Sequence, residues 1–384
     1  MLDTPNTDTL LNEIEVLRGR NRSTADCVKH LIRIGAHAAP IKETDFNAMR
    51  YREIAALLGE INPSLALSFT MHLYTVWGLH RHRHSVLQPV LQEIVEQGAL
   101  TGSLNEPGLY FTSPGQLDLD TYPIRARKVD AGYIVNGTKK FVSLEPFVSF
   151  LPVYCALEGY QGDDLGLVCL MLRKSSAGVS VLDDWNTVAM QATASNSVAF
   201  DGVFCPDEMV ICDETTPISS LALQGYLFRF SVSSVYLGIA RQVMQHSIES
   251  AGSKRPPGGN LPLARYPGVQ FSTAEMIISL DTMEAQMDRF TKVLDDFVSG
   301  DPNAARVISR ISLVTKEVVA RESERIVNAA MKIDGISSLS SANPLSRIYT
   351  DAKAAQFHPP QRDVAYELLA KEALGVISLK NRWL

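Results

Sequence analysis

Near the C-terminal end of the chain, "DAKAAQFHPPQRD" (351–363) places His358 directly before Pro359 and Pro360. A helix fades at the residue before a proline, so this pair turns the chain and leaves His358 at an exposed end. An imidazole there can exchange a proton or donate a hydrogen bond near neutral pH. A second histidine, His72, lies in the apolar run "NPSLALSFTMHLYTVWGL" (62–79), and reads either as a satisfied core residue or as a buried group at a reactive centre. "HRHRH" (80–84) sets His80 and His84 four apart on one helical face. Arginines intervene and no carboxylate or cysteine stands beside them, which favours solvated residues at a helix end over a metal site. The chain carries no P-loop, no strand-linked GxGxxG, no HExxH and no GxSxG elbow.

The chain has 384 residues, 46% of them hydrophobic and 20% charged, enough to bury one large core or two to three moderate ones. A formal net charge of −6 and the lack of a Lys/Arg-rich block argue against a nucleic-acid or anionic-membrane surface and leave small molecules or further copies of the chain as partners. The five cysteines, Cys27, Cys155, Cys169, Cys205 and Cys212, form no CxxC pair and read as core thiols in a reducing compartment. The first residues lack a basic segment followed by an apolar one, and no stretch approaches the roughly 18 apolar residues of a membrane span. The expected protein is cytoplasmic and soluble.

These candidate groups must be held by three kinds of segment. Residues 1–100 read as helices, and Asn62-Pro63 forms an N-cap and first-turn pair opening a helix that is apolar all round. Such a helix is buried, which puts His72, Tyr74 and Trp77 inside. Residues 101–216 read as short β-rich runs forming an antiparallel β domain, with Asn136-Gly137 as a hairpin turn between two strands. Residues 217–384 return to the helical period. Val269, Thr273, Met276, Leu280, Met283, Met287, Phe290, Leu294 and Phe297 make one continuous seam, and four long helices, the last over about 344–375, imply an antiparallel bundle. The clearest loop is "KRPPGGNLPLARYPG" (254–268).

This helical, β, four-helix order resembles the acyl-CoA dehydrogenase fold, and motifs along nearly the whole chain carry the resemblance. "SLNEPG" (103–108) is similar to the family's Thr-Glu-Pro loop, and "GYIVNGTKKFVS" (132–143) to the hairpin whose end lies against the flavin. "WNTVAMQATASNSVAFDGVFCPDEMV" (185–210) resembles the strand pair closing the β domain. "LGIARQVMQHSIESAGSKR" (237–255), "VQFSTAEM" (269–276) and "SRIYTDAKAA" (346–355) resemble the bundle's signatures.

The resemblance implies a flavin with Asn105 and Glu106 by its pyrimidine end, Phe141 stacked near the ring and Ser143 donating toward N5. It also implies that Arg255, Gln270 and Gly335 grip the dinucleotide's far half, partly across subunits of a homotetramer. Here "RPPGG" stands for the family's Arg-x-x-Phe-Gly, and Lys332 replaces a glutamine before Gly335, so the grip is altered: FAD is the default cofactor and FMN the alternative.

Family dehydrogenases use a glutamate base from one of two positions, which here hold Pro359 and Phe228. A branch of the fold resembling dibenzothiophene monooxygenase binds reduced flavin and forms a C4a-hydroperoxide, for which it needs a dry pocket with a few hydrogen-bonding groups. Its polar positions match His72, Ser143 and His358, with Tyr74 and Trp77 lining the same pocket. The expectation is a flavin-dependent monooxygenase in which His72, Ser143 and His358 are catalytic, supplied by a separate reductase. The alternative is an atypical dehydrogenase of an acyl-CoA or carrier-protein thioester. The small-molecule substrate itself is not readable.

Overall fold

Side-chain caps and prolines start the helices that build the two helical regions. The computed structural model describes residues 7–19, 22–82, 87–106, 109, 122–162, 165–216 and 218–376. The N-terminal helices are α1 (Thr7–Glu15), α2 (Thr24–Arg33), α3 (Ala39–Lys42), α4 (Ala48–Ile61), α5 (Pro63–His82) and α6 (Gln88–Gln97). Ser23, Asn47 and Asn62 accept the backbone N–H three residues on, at 3.1, 2.8 and 3.1 Å, and so open α2, α4 and α5. Helix α5 is buried from Ser64 to Leu79, as its all-round apolarity requires.

The strands are β1 (Leu100–Thr101), β2 (Ile124–Val129), β3 (Gly132–Val142), β4 (Val148–Leu157), β5 (Leu167–Arg173), β6 (Val179–Val181), β7 (Asn196–Pro206) and β8 (Val210–Cys212). They form one sheet in the order β6-β7-β3-β2-β4-β5-β8, with β1 added to β4. Pairing is antiparallel except where β4 runs parallel to β1 and β2. Asn136-Gly137 is not the hairpin turn. The two residues lie inside β3, and the chain reverses at Asp130-Ala131, where Val129 pairs with Gly132 and Ala131 takes φ 61°. Gly137 instead marks a bulge against β7, and an added Cβ would lie 2.1 Å from the Pro123 carbonyl oxygen. Asn136 Oδ1 accepts the Gly202 N–H at 2.8 Å, so local turn chemistry was overridden by a strand-to-strand hydrogen bond.

The C-terminal bundle contains α7 (Ala222–Ser253), α8 (Pro267–Val298) and α9 (Pro302–Asp334). Its fourth member is broken into α10 (Pro344–Lys353), a 3-10 turn (Ala354–Phe357) and α11 (Arg362–Ala373), because Pro359 and Pro360 cannot continue a helix. Met276, Met283, Met287, Phe290 and Leu294 of the α8 seam are buried. All five cysteines are buried and free, and no helix among the described residues is long and apolar enough to cross a membrane.

Helices α4 and α7 cross at backbone contact. A Cβ on Gly238 would lie 2.0 Å from the Ala56 carbonyl oxygen, and one on Gly59 2.4 Å from that of Val235. Backbone has no side-chain torsion by which to move aside, so Gly238→Ala should destabilise the protein by about 3 kcal/mol. A lower urea midpoint with an unchanged slope would show this; an unchanged midpoint would contradict the close crossing.

Candidate functional site

A cavity of about 590 Å³, within the usual range for small-molecule sites, opens where the β domain meets α5, α7 and the broken fourth helix. Its walls are mainly apolar: Leu67, Met71, Phe141, Trp185, Met190 and Phe228 among them. Polar side chains on the lining include Ser103, Asn105, Ser143, Thr193, Ser195 and His358, and two lysines, Lys140 and Lys353, also stand on it. Among the described residues no Asp or Glu lines it, and Phe228 and Pro359, the two positions where the resemblance calls for a glutamate, both do. The cavity wall is built from backbone in an uncommon conformation. Phe141 and Met190 of the lining take φ of 60° and 52°, which costs about 1–3 kcal/mol each and is characteristic of functional sites.

His358 lines this cavity and is half-buried, not exposed as the proline pair suggested. Its Nε2 lies 3.0 Å from the hydroxyl of the fully buried Tyr236. That hydroxyl also lies 3.4 Å from the Asp351 carbonyl, beyond good O–H···O range. With Tyr236, whose phenol burial pushes far up, donating to this Nε2, the neutral ring carries its hydrogen on Nδ1. Burial and the nearby Lys316 charge push the His358 imidazole down to about 3. In that neutral state the ring is a hydrogen-bond donor through Nδ1. The segment is held from below by Lys316, itself buried, whose Nζ donates to the Pro360 carbonyl at 3.0 Å and to Glu317 at 3.1 Å.

Ser143, at the end of β3, joins a chain of hydroxyls. Its Oγ is 2.9 Å from Ser195 Oγ, which is 2.8 Å from Thr193 Oγ1, which donates to the Met190 carbonyl at 2.8 Å. Asp351 of α10 accepts the Met190 N–H at 2.5 Å, tying this part of the β domain to the bundle. Phe141 is half-exposed at the cavity wall and meets Trp185 edge-on at 6.3 Å between centroids. Asn105 also lines the cavity, its N–H donating to Tyr74 Oη at 2.8 Å.

The structure does not bring the remaining expected residues to this cavity. His72 is fully buried with both ring nitrogens engaged by backbone: Nε2 donates to the His37 carbonyl at 3.0 Å, and Nδ1 accepts the Thr101 N–H at 3.0 Å. It pins the start of the loop that carries Ser103 and Asn105. Tyr74 supports the same loop, with its hydroxyl 2.6 Å from Ser103 Oγ, and Trp77 stacks on Tyr51 at 5.5 Å. Glu106 is buried against Lys139 at 3.7 Å, an internal ion pair. Arg255, Gln270 and Gly335 are exposed at one end of the bundle, where α7 and α9 end and α8 begins. Gln270 Nε2 donates to the Ala264 carbonyl at 3.1 Å. His84 and most of "LYFTSPGQLD" lie outside the described residues.

Sequence reading missed Tyr236, Asp351, Thr193 and Ser195. Thr193 ends a 3-10 turn and Ser195 directly precedes β7, so no strand alternation marked either. Tyr236 and Asp351 come from separate helices, and only the tertiary fold shows that they meet.

Helical domain, sheet and bundle around such a cavity define the acyl-CoA dehydrogenase fold. Residues 230–360 match the family described as acyl-CoA dehydrogenase, C-terminal domain. An FMN-bound dibenzothiophene monooxygenase from a Paenibacillus species superimposes with a TM-score of 0.83 over 97% of this chain and 98% of that one, at 18% identity. An amino sugar nitrososynthase of Streptomyces peucetius is 27% identical over 66% of this chain and 62% of its own length. A benzylmalonyl-CoA dehydrogenase of Aromatoleum aromaticum is 26% identical over 46% of each. The chain spans 62% of the length of the first curated relatives it matches.

Proposed function

We propose that the protein is a flavin-dependent monooxygenase acting on a small molecule. The observation that carries this reading is the chemistry of the cavity: apolar walls, a few hydrogen-bonding groups, and Phe228 and Pro359 where a thioester dehydrogenase would need its carboxylate base. The residues fit a flavin. Phe141 and Trp185 supply an aromatic wall, Ser103 and Asn105 a polar end, and Ser143 a further hydrogen-bonding group. When bound, the flavin supplies the electrons and the activation of oxygen. The chain's own residues exclude water, orient the ligand and, through the Nδ1–H of neutral His358, offer a hydrogen bond where negative charge develops. His72 acts by positioning the loop of Ser103 and Asn105.

Arg255, Gln270 and Gly335 are exposed and outside the cavity, so in this reading they serve the far half of an FAD seated in a neighbouring copy, within a homotetramer. FMN would need no such grip. Light scattering showing a stable monomer that binds FMN and FAD equally would remove that part of the proposal. A separate reductase and a cytoplasmic location complete it.

The second reading, oxidation of an acyl-CoA or carrier-protein thioester, is favoured by the likeness to a CoA-ester dehydrogenase. Anaerobic mixing of the flavin-loaded protein with a panel of acyl thioesters separates the two. The expected result is an unbleached flavin; rapid bleaching by one of them would overturn the monooxygenase reading.

A further inference from the structure

Counting hydrogens along the Ser143 chain gives it a direction. The Met190 carbonyl can only accept, so the 2.8 Å contact exists only if Thr193 donates to it. Thr193 has then used its single hydrogen, and its 2.8 Å contact with Ser195 requires Ser195 to donate. The same step repeats at 2.9 Å: Ser143 donates to Ser195. The anchor of the series is fixed, because Asp351 holds the Met190 N–H at 2.5 Å and the residue sits in the left-handed region, φ 52°. The backbone is joined here as well, with the Leu144 N–H donating to the Thr193 carbonyl at 3.1 Å. Ser143 therefore turns lone pairs, not its hydrogen, toward the cavity, the reverse of the donation expected from the sequence.

We propose that Thr193 and Ser195 are positioning residues that hold the Ser143 hydroxyl as a hydrogen-bond acceptor, so that the cavity selects the reduced flavin over the oxidised one. This rests on the flavin reading above. Two-electron reduction adds hydrogen to the ring's N1–N5 system, so that a bare acceptor edge becomes a donor. An acceptor hydroxyl pairs with the reduced ring and opposes lone pairs on the oxidised one.

The test measures the dissociation constants of oxidised and dithionite-reduced FMN and FAD anaerobically, for the wild type, Ser195→Ala, Thr193→Val and Thr193→Ser. In Ser195→Ala the Ser143 hydrogen loses its acceptor and is free to turn into the cavity. In Thr193→Val the Ser195 hydrogen loses its own acceptor and turns back to Ser143, with the same result. Both variants should lower the ratio of oxidised to reduced dissociation constants about tenfold, by tightening the oxidised form. Thr193→Ser keeps the hydroxyl and should keep the wild-type ratio. The midpoint potential of the bound flavin should fall in step. A merely structural role would weaken both forms together and leave the ratio unchanged, and that result overturns the assignment while leaving the flavin reading intact. A wild type that binds neither form overturns both.

Discussion

His358→Ala should lower oxygenated product about 10²- to 10³-fold, the usual cost of removing one preorganised donor from a water-poor site. The fold should survive, since the substitution removes one hydrogen bond and leaves the buried Tyr236 hydroxyl without a close acceptor, a cost of about 1–3 kcal/mol. Tyr236→Phe leaves the ring in place but releases its tautomer, and should cost less, about tenfold. The pH profile is a separate readout. Because burial and Lys316 push His358 down to about 3, the ring stays neutral from mildly acidic to alkaline pH. Product formation should therefore show no inflection near the ordinary imidazole value of about 6.5. Full activity in His358→Ala would remove the role, and an inflection that disappears in that variant would show that the ring works by titrating.

His72→Ala should fail differently, by losing stability. The substitution strands the buried Thr101 N–H and His37 carbonyl and leaves a cavity, together costing about 4 kcal/mol, with the urea midpoint falling accordingly. Burial and the neighbouring His37 push the His72 imidazole down to about 3. The sign follows from proton counting: between about pH 6.5 and 3 the unfolded chain binds a proton that the folded ring refuses, so stability falls as pH falls through this window. The slope from one such group reaches about 1.4 kcal/mol per pH unit, and a His72→Gln variant should have a shallower acid limb. Normal stability of His72→Ala with lost activity would instead restore His72 to the catalytic group.

The two histidines also show where sequence reading stops. The buried α5 was legible because apolar residues surround it on every side, and the α8 seam because its period is unbroken. Which way a buried imidazole faces was not, since both His72 nitrogens are taken by backbone from Thr101 and His37, 29 and 35 residues away. Pro359-Pro360 was correctly read as ending a helix, but its consequence was reversed: the turn tucks His358 against Tyr236, 122 positions away, instead of exposing it. Asn136-Gly137 carried a strong turn signature and became a bulge, because β7 offered the pair strand contacts that outweighed it. Ser143 lines the cavity, and the hydroxyl chain it enters, through Ser195 and Thr193 to the Met190 carbonyl, is contained in no local pattern around Ser143.

The most direct measurement is rapid mixing of the protein, loaded anaerobically with reduced flavin, with oxygenated buffer while the visible band of oxidised flavin is followed. A protected cavity with a neutral His358 donor should delay the return of that band well beyond the time taken by free reduced flavin, and His358→Ala should shorten the delay. Reoxidation without delay, at the rate of the free cofactor and unchanged in the variant, would contradict the central claim that this cavity directs oxygen chemistry.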